Sequence, residues 1–445
     1  MRCFMTRRTL KTALWSILSM VIIAGTAGCS GGPGSPEANG EPQSAAPEPV
    51  ELVFYSCGNT TEEVFDVLYG DAIRKKYPQF KLRYISGLSA SKASELMPKM
   101  LMENTVDINF DSIGNIPSCL LMFDLQKDMS DLIKKHKLDL NKLEPRAVQG
   151  MKDLAGGGMY GIPVFNNTRV LYYNKDLFDK FGVAYPKDGM TWDEANALAR
   201  RMTRSENGVI YLGMTASEQH QIRLNALSVP ILDPKTGKPT INTDERWRTI
   251  LTKGFFDPFN NELARQSISK AFPTINQFVK EKRVAMMPNL ANLPADQQPL
   301  MKEVNWDMVT EPTYAEAPKT SSSVYPTYFS ITSQSKHREE AMLAIEVLVT
   351  EEHQAFLSRL GQVPVLQNEE IRKMLGQGSE FKDKNWGAVF LHTPAAMPYK
   401  SKYDNEIEVI YRKQILSYAQ GQVDLNTLLR NAEEEANKYL EAAKR

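Results

Sequence analysis

From residue 51 onward the apolar positions fall into short runs, and the period of each run indicates the element it builds. Glu51-Leu-Val-Phe-Tyr-Ser56 is a compact apolar burst that reads as a strand. Thr60-x-x-Glu63 has the form of a capping box, and Val64, Val67, Leu68 and Ala72 share one helical face behind it. Pro78 stops that helix, and Phe80–Ser86 alternates as a second strand. A helical stretch from Ser91 to Met102 leads into a third strand at Val106–Phe110. Strands alternating with helices predict parallel pairing through helical crossovers.

Past Gly156-Gly157-Gly158 come two adjacent β-like runs, Met159–Val164 and Val170–Asn174. Thr191-x-x-Glu194 opens a helix with Trp192, Ala195, Leu198, Ala199 and Met202 inward. Further strands are predicted at Val209–Thr215, Val284–Pro288 and Tyr328–Thr332, and helices at Arg338–Leu360 and Leu425–Ala443. The last helix places Leu425, Leu428, Leu429, Ala432, Ala436 and Tyr439 on one side. No internal repeat is visible. The fold class is α/β in two lobes, each a mainly parallel sheet flanked by helices.

Length supports the division, since 445 residues exceed what one core usually organises. Lys+Arg and Asp+Glu are tied at 53 each, but Arg2, Arg7, Arg8 and Lys11 all lie in the first 28 residues, which hold no acid. The remainder is therefore mildly acidic, which argues against nucleic acid as a partner. The same basic head is followed by an uncharged apolar run, Ala13–Gly28, and then Cys29. That is a secretory signal in form, and the run is short for a membrane span of about 20 residues. Thr26-Ala-Gly-Cys29 resembles the bacterial lipobox, with Thr26 where an aliphatic residue is commoner. The resemblance implies cleavage before Cys29, acylation of that cysteine and anchoring at the extracellular face of the cell membrane. Residues 30–49 hold four Gly, five Pro and three Ser and no aromatic, so they read as a tether.

Catalytic signatures mostly fail: no G-x-S-x-G elbow, P-loop, dinucleotide fingerprint or H-E-x-x-H motif is present. The five histidines are scattered without metal-ligand spacing, so neither a metal nor a cofactor is expected. Ser89-x-x-Lys92, Ser205-Glu-Asn207 and Lys235-Thr-Gly237 occur in the order used by serine penicillin-binding enzymes. However, Asp233–Pro239 is dense in turn formers and reads as a hairpin loop, while Ser205–Gly208 reads as a helix-ending turn. The acyl-enzyme reading is therefore the weaker one, and no enzyme is expected. With Cys3 in the leader and Cys29 acylated, Cys57 and Cys119 remain. A body of this size needs no staple, so free thiols are favoured, although both follow strands that can meet at one sheet edge.

Several segments together resemble the extracellular solute-binding proteins of ABC importers, in the family typified by maltose-binding protein. They are Gly158–Val164, Val170–Asp176 with Phe178, Phe181-Gly-Val183 and Pro186, Thr191–Glu194, Arg283–Met286, Ile331–Ala341, Ile345–Val349, Glu351–His353 and Gly361–Pro364. The resemblance implies a type II periplasmic-binding-protein fold. It divides the chain into a signal peptide (1–28), lipidated cysteine and linker (29–49), an N-terminal lobe (50–164 plus 314–368), a C-terminal lobe (169–309 plus 369–425) and a terminal helix (426–445). Crossings near 164–168 and 309–313 would act as hinges. A monomer would capture a polar solute, an oligosaccharide, and hand it to permease subunits. The alternative partner is a membrane sensor kinase.

Ligand groups are expected at strand ends facing the cleft. These are Ser56, Asn59, Asp111, Asn115, Asn166, Asn167, Arg169, Gln219, His220, Asn289 and Asn292, with Tyr328, Trp386, Tyr399 and Tyr403 as stacking surfaces. Amides, a carboxylate and aromatic faces suit a polyhydroxylated ligand. Maltose binders of that family carry a stacking Trp where this chain has Asn292, a carboxylate where it has Asn167, and an aromatic where it has Asp111. Those departures point away from maltose and toward another saccharide, such as a plant-polysaccharide fragment. Cys29→Ser is expected to abolish fatty-acid labelling and move the protein out of the membrane fraction; continued labelling would refute the lipobox reading.

Overall fold

The computed structural model describes residues 49–58, 60–268 and 270–443. The leader, Cys29, nearly all of the linker and Asn59 lie outside the described residues. Among the described residues no helix is long and apolar enough to cross a membrane.

The first sheet holds β1 (Val50–Tyr55), β2 (Phe80–Ile85), β3 (Ile108–Ser112), β4 (Ile162–Asn166), β11 (Thr327–Ile331) and β12 (Val363–Pro364). Their spatial order is β12-β4-β11-β3-β1-β2. The second sheet holds β5 (Arg169–Asn174), β6 (Arg204–Glu206), β7 (Val209–Met214), β8 (Val284–Leu290) and β9 (Trp306–Thr310), ordered β6-β7-β8-β5-β9. A short parallel pair, β10 (Thr320–Ser323) with β13 (Thr393–Ala395), lies apart from both. Sheets flanked by helices confirm the α/β class, but "mainly parallel" needs correction. Parallel pairing is confined to β1–β2 and β1–β3 in the first sheet and to β7–β8 in the second. β11 lies antiparallel between β3 and β4, and β5 antiparallel between β8 and β9. A strand that arrives from the other lobe needs no helical crossover within its own sheet, so the rule that forces parallel pairing does not bind it.

Each sheet buries its own core. The first core gathers residues from Leu52 to Val164 and from Tyr325 to Ile371, joined by Leu224. The second runs from Val170 to Tyr314 and from Leu375 to Leu440, with Val363, and its largest fully buried members are Trp192, Trp247 and Trp306. The terminal helix Leu425–Ala443 belongs to this core through Leu428, Leu429, Ala432, Ala436 and Leu440. The Thr191 capping box is present, with Glu194 N–H donating to Thr191 Oγ1 at 3.3 Å and Thr191 N–H to Glu194 Oε2 at 2.8 Å.

Four local expectations are corrected. The first helix is capped by Thr61, not Thr60, and it buries Phe65, Tyr69 and Ile73, leaving Val64 and Val67 exposed. The larger rings win the inward face because they meet an aromatic set on the sheet: Phe65–Phe110 at 5.6 Å, Tyr69–Phe110 at 5.4 Å and Tyr69–Phe329 at 5.0 Å between centroids. The helix expected at 338–360 is two, Arg338–Leu348 and Glu351–Arg359, because Thr350 caps the second. Ser205–Gly208 turns a hairpin between β6 and β7, with Asn207 and Gly208 at φ 50° and 79°, the left-handed pair that such a turn demands. Finally, Cys57 and Cys119 form a disulfide. β1 and β3 are parallel neighbours, so the segments leaving their ends emerge side by side.

A cross-link between residues 62 apart constrains the unfolded chain. The double variant Cys57→Ser/Cys119→Ser should lose about 2–4 kcal/mol of stability in urea unfolding; an unchanged midpoint would mean that the bond contributes nothing to the fold.

Candidate functional site

The ends of β1 and β3 converge on one carboxylate. Asp111 is 2% exposed and accepts four hydrogen bonds: from Ser56 Oγ (3.0 Å), Cys57 N–H (3.1 Å), Asn109 Nδ2 (2.8 Å) and Asn115 Nδ2 (3.4 Å). Burial pushes its pKa up to about 6, and the four donors offset only part of that. The segment from Ser56 to Gly58 is thus folded around Asp111, and the Cys57–Cys119 bond holds it from behind.

The chain crosses between lobes at Asn167-Thr168. Asn167 Oδ1 accepts from Thr168 N–H (3.0 Å) and Ala291 N–H (3.1 Å), while its Nδ2 donates to Asn292 Oδ1 (2.5 Å). Asn292 Nδ2 passes the chain of bonds on to Asp296 Oδ2 (2.9 Å) and Gln362 Oε1 (3.3 Å), and Gln362 Nε2 donates to Asp296 Oδ1 (3.1 Å). Gln362 lies on the segment entering β12, so this network ties the second lobe to the first. Asp296 is also raised to about 6, by loss of hydration first. Asp296 lines the cavity, and although its carboxylate has lost hydration the residue as a whole stays exposed.

Between these two groups lies a cavity of about 170 Å³. Ser56, Asp111, Asn115, Asn167 and Asn292, all read from the sequence, line it. So do Gly58, Thr60, Tyr69, Phe110, Ser112, Phe165, Leu290, Asp296, Tyr325 and Thr327, which the sequence reading missed. Tyr69 and Phe110 are the cleft end of the aromatic set of the first core. Tyr325 is held by Ser112 Oγ (3.1 Å) and Arg223 Nη1 (3.4 Å), both donating to its hydroxyl.

Nine expected residues do not line the cavity. Asn166 is buried in β4, and Asn289 bonds only its neighbour's N–H at Leu290. Arg169 is 2% exposed and paired with Glu311 at 2.6 Å. Gln219 sets its carboxamide oxygen against the Arg223 guanidinium at 2.8 Å and 3.0 Å. His220 bonds Ser217 Oγ at 2.9 Å and is held neutral, its pKa lowered to about 3 by burial and then by Arg223 and Arg169. Tyr328 is fully buried with its hydroxyl on Ala147 O (2.7 Å), and Trp386 sits in the second core with its indole N–H on Phe381 O (2.9 Å). Tyr399 is a surface ring and Tyr403 packs edge-on against Tyr439. Among the described residues, the one grouping close enough to hold a metal ion is Cys57–Asp111–Cys119, whose two sulfurs are bonded to each other. Ser89 shares a 3.1 Å hydrogen bond with Ser91 Oγ at the start of the short 3-10 helix Ala90–Lys92.

Two sheets that present strand ends to a shared polar cavity with an aromatic floor define a clamp-type binding protein. The chain belongs to the bacterial extracellular solute-binding protein family, whose profile matches residues 122–355, just over half of it. A curated binding protein from Brucella abortus (strain 2308) is 26% identical over 235 residues, which are 49% of this chain and 53% of that relative. The match thus spans about half the length of the curated relative. The fold is similar to an ABC substrate-binding protein from Listeria monocytogenes solved with cycloalternan. There the TM-score is 0.70 at 19% identity, covering 88% of this chain and 99% of that one. It is also similar to the sugar-binding protein MalE of Xanthomonas citri, with TM-score 0.68 at 17% identity, covering 89% and 98% respectively. Family and fold are those of binding proteins.

Asn167 Oδ1 accepts from the buried Thr168 N–H and shares the Ala291 N–H with the Thr168 carbonyl (2.9 Å), and its Nδ2 begins the chain of bonds to Asn292. Asn167→Ala should therefore cost about 1–3 kcal/mol in chemical unfolding. Asn289→Ala, outside the cavity, should stay within about 0.5 kcal/mol. Equal effects would show that the crossing network has no special weight.

Proposed function

We propose that this chain is a lipid-anchored extracellular receptor that captures a polar solute, a saccharide, between its lobes and delivers it unaltered to an ABC importer. One observation carries the reading: the cavity at the facing strand ends combines dense hydrogen-bonding groups from both lobes with the rings of Tyr69, Phe110, Phe165 and Tyr325. A saccharide needs that combination, since each hydroxyl wants a partner and each sugar ring an apolar platform. The protein's neighbours favour the same class, one being solved with cycloalternan and another named a sugar-binding protein.

The lobes are 50–164 with 314–368 and 169–309 with 369–425, and the crossings between them serve as hinges. Solute binding shifts an equilibrium between open and clamped arrangements through contacts completed only in the latter. The cavity is smaller than the roughly 300–1,000 Å³ of common ligand pockets, so a longer saccharide enters only when the lobes part. Solute, permease and membrane through Cys29 are the partners, the receptor acts as a monomer, and no chemistry on the solute is required. A saccharide that binds the folded form alone should raise the melting temperature in proportion to the logarithm of its concentration and reduce the radius of gyration in X-ray scattering. A saccharide panel that moves neither quantity would defeat the proposal.

A further inference from the structure

The lining of the cavity contains two carboxylates, Asp111 and Asp296, and no Lys, Arg or His. They stand on different lobes, Asp111 at the end of β3 and Asp296 on the short helix Leu293–Asp296 that follows β8. The groups that face them are neutral: Tyr55 and Tyr84 beside Asp111, Tyr69 and Tyr172 beside Asp296. The buried guanidiniums of the region are committed elsewhere, Arg169 to Glu311 and Arg223 to Glu408. Asp111 has its oxygens filled by four protein donors, whereas each oxygen of Asp296 accepts only one and keeps capacity for another.

We propose that the solute carries a protonated amine, with Asp296 as its ion-pair partner and Asp111 as the second negative charge across the cavity. This rests on the receptor reading above and narrows its solute class to amine-bearing saccharides or amino-polyols. A neutral sugar can donate hydroxyls to both carboxylates, but clamping then strips their water while leaving two negative charges without a counter-ion, a costly arrangement. An ammonium removes that cost and adds a charge-assisted hydrogen bond. Both carboxyls are raised to about 6, with hydration loss as the largest cause and no cation among the opposing ones. The sign follows directly. An ammonium pairs with the ionised acids, so its advantage is fullest between about pH 7 and the pKa of the amine itself and fades as pH falls through about 6.

Isothermal titration of the full chain in detergent tests this with matched pairs: 1-amino-1-deoxysorbitol against sorbitol, and the β-1,4 disaccharide of glucosamine against cellobiose. At pH 7 the amine member should bind about tenfold tighter than its neutral partner. The ratio should shrink severalfold at pH 5, where 1-amino-1-deoxysorbitol is still protonated. In Asp296→Asn, with folding checked by circular dichroism, the ratio should fall toward one, and Asp296→Glu should restore part of it. Neutral members binding as tightly as their amines would overturn the proposal and leave the saccharide receptor standing. So would a preference that survives Asp296→Asn. Absence of binding by every saccharide, charged or neutral, would overturn both.

Discussion

The two-lobed arrangement depends on one buried ion pair at the base of the cleft. Arg169 opens β5 just after the first crossing, and Glu311 follows β9 at the second; they meet at 2.6 Å with side chains 1% and 4% exposed. Ser322 locks the pair into the backbone, donating its N–H to Glu311 Oε2 (3.1 Å) and accepting from Arg169 N–H (2.9 Å). Its hydroxyl also shares a 2.9 Å hydrogen bond with Thr168 Oγ1. Taking two charges out of water is expensive, so such a pair adds little net stability; yet removing either partner strands the other at a cost of about 3–5 kcal/mol. Its value is positional. It fixes the register of the two connecting segments, and Asn167-Thr168 leaves only two residues between β4 and β5.

That anchor explains why Arg169 belongs to the frame and not to the cavity lining. The polar groups that do face the cavity hang from it in sequence. Asn167 sits two residues before Arg169, reaches Asn292 after β8, and through Asn292 positions Asp296 and Gln362. On the other side Asp111 organises Ser56, Cys57 and Asn115. The cleft is thus two preorganised polar clusters, one per lobe, supported by the sheet ends and, on the first lobe, by a disulfide.

Much of this was legible in the chain. Apolar bursts and capping residues located most strands and the Thr191 helix, and the rule that ligands sit beyond strand carboxyl ends pointed to Ser56, Asp111, Asn115, Asn167 and Asn292, which line the cavity. The failures have definite causes. Tyr325 and Thr327 lie where β11 begins, and only an antiparallel β11 brings that start beside the end of β3, with Thr327 opposite Ser112 and Tyr328 opposite Asp111. A parallel expectation hides it. Asp296 is four residues past Asn292 on a helix too short to show a period. The aromatic guesses went astray because residue type does not say which rings a core will claim: Tyr328 and Trp386 are core, whereas Tyr69 reaches the cavity through a helical face that the valines obscured.

The contacts between lobes indicate how such a clamp stays responsive. Apolar packing is largely separate, although Leu224 joins the first core and Val363 the second, and the partly buried Leu290 and Met397 also pack on the first core. Polar bridges also cross, among them Asn405 Nδ2 to Ser118 Oγ at 2.7 Å, Arg223 to the Tyr325 hydroxyl at 3.4 Å, Asn292 to Gln362 at 3.3 Å and Gln362 to Asp296 at 3.1 Å. Each such bond is exchanged for one with water when the lobes part, so its net contribution is only about 0.5–1.5 kcal/mol. A broad apolar seam would instead favour the clamped state whether or not solute was present. On the receptor reading proposed above, polar bridges would leave the two arrangements near balance, so that the few kilocalories per mole added by a bound solute decide between them.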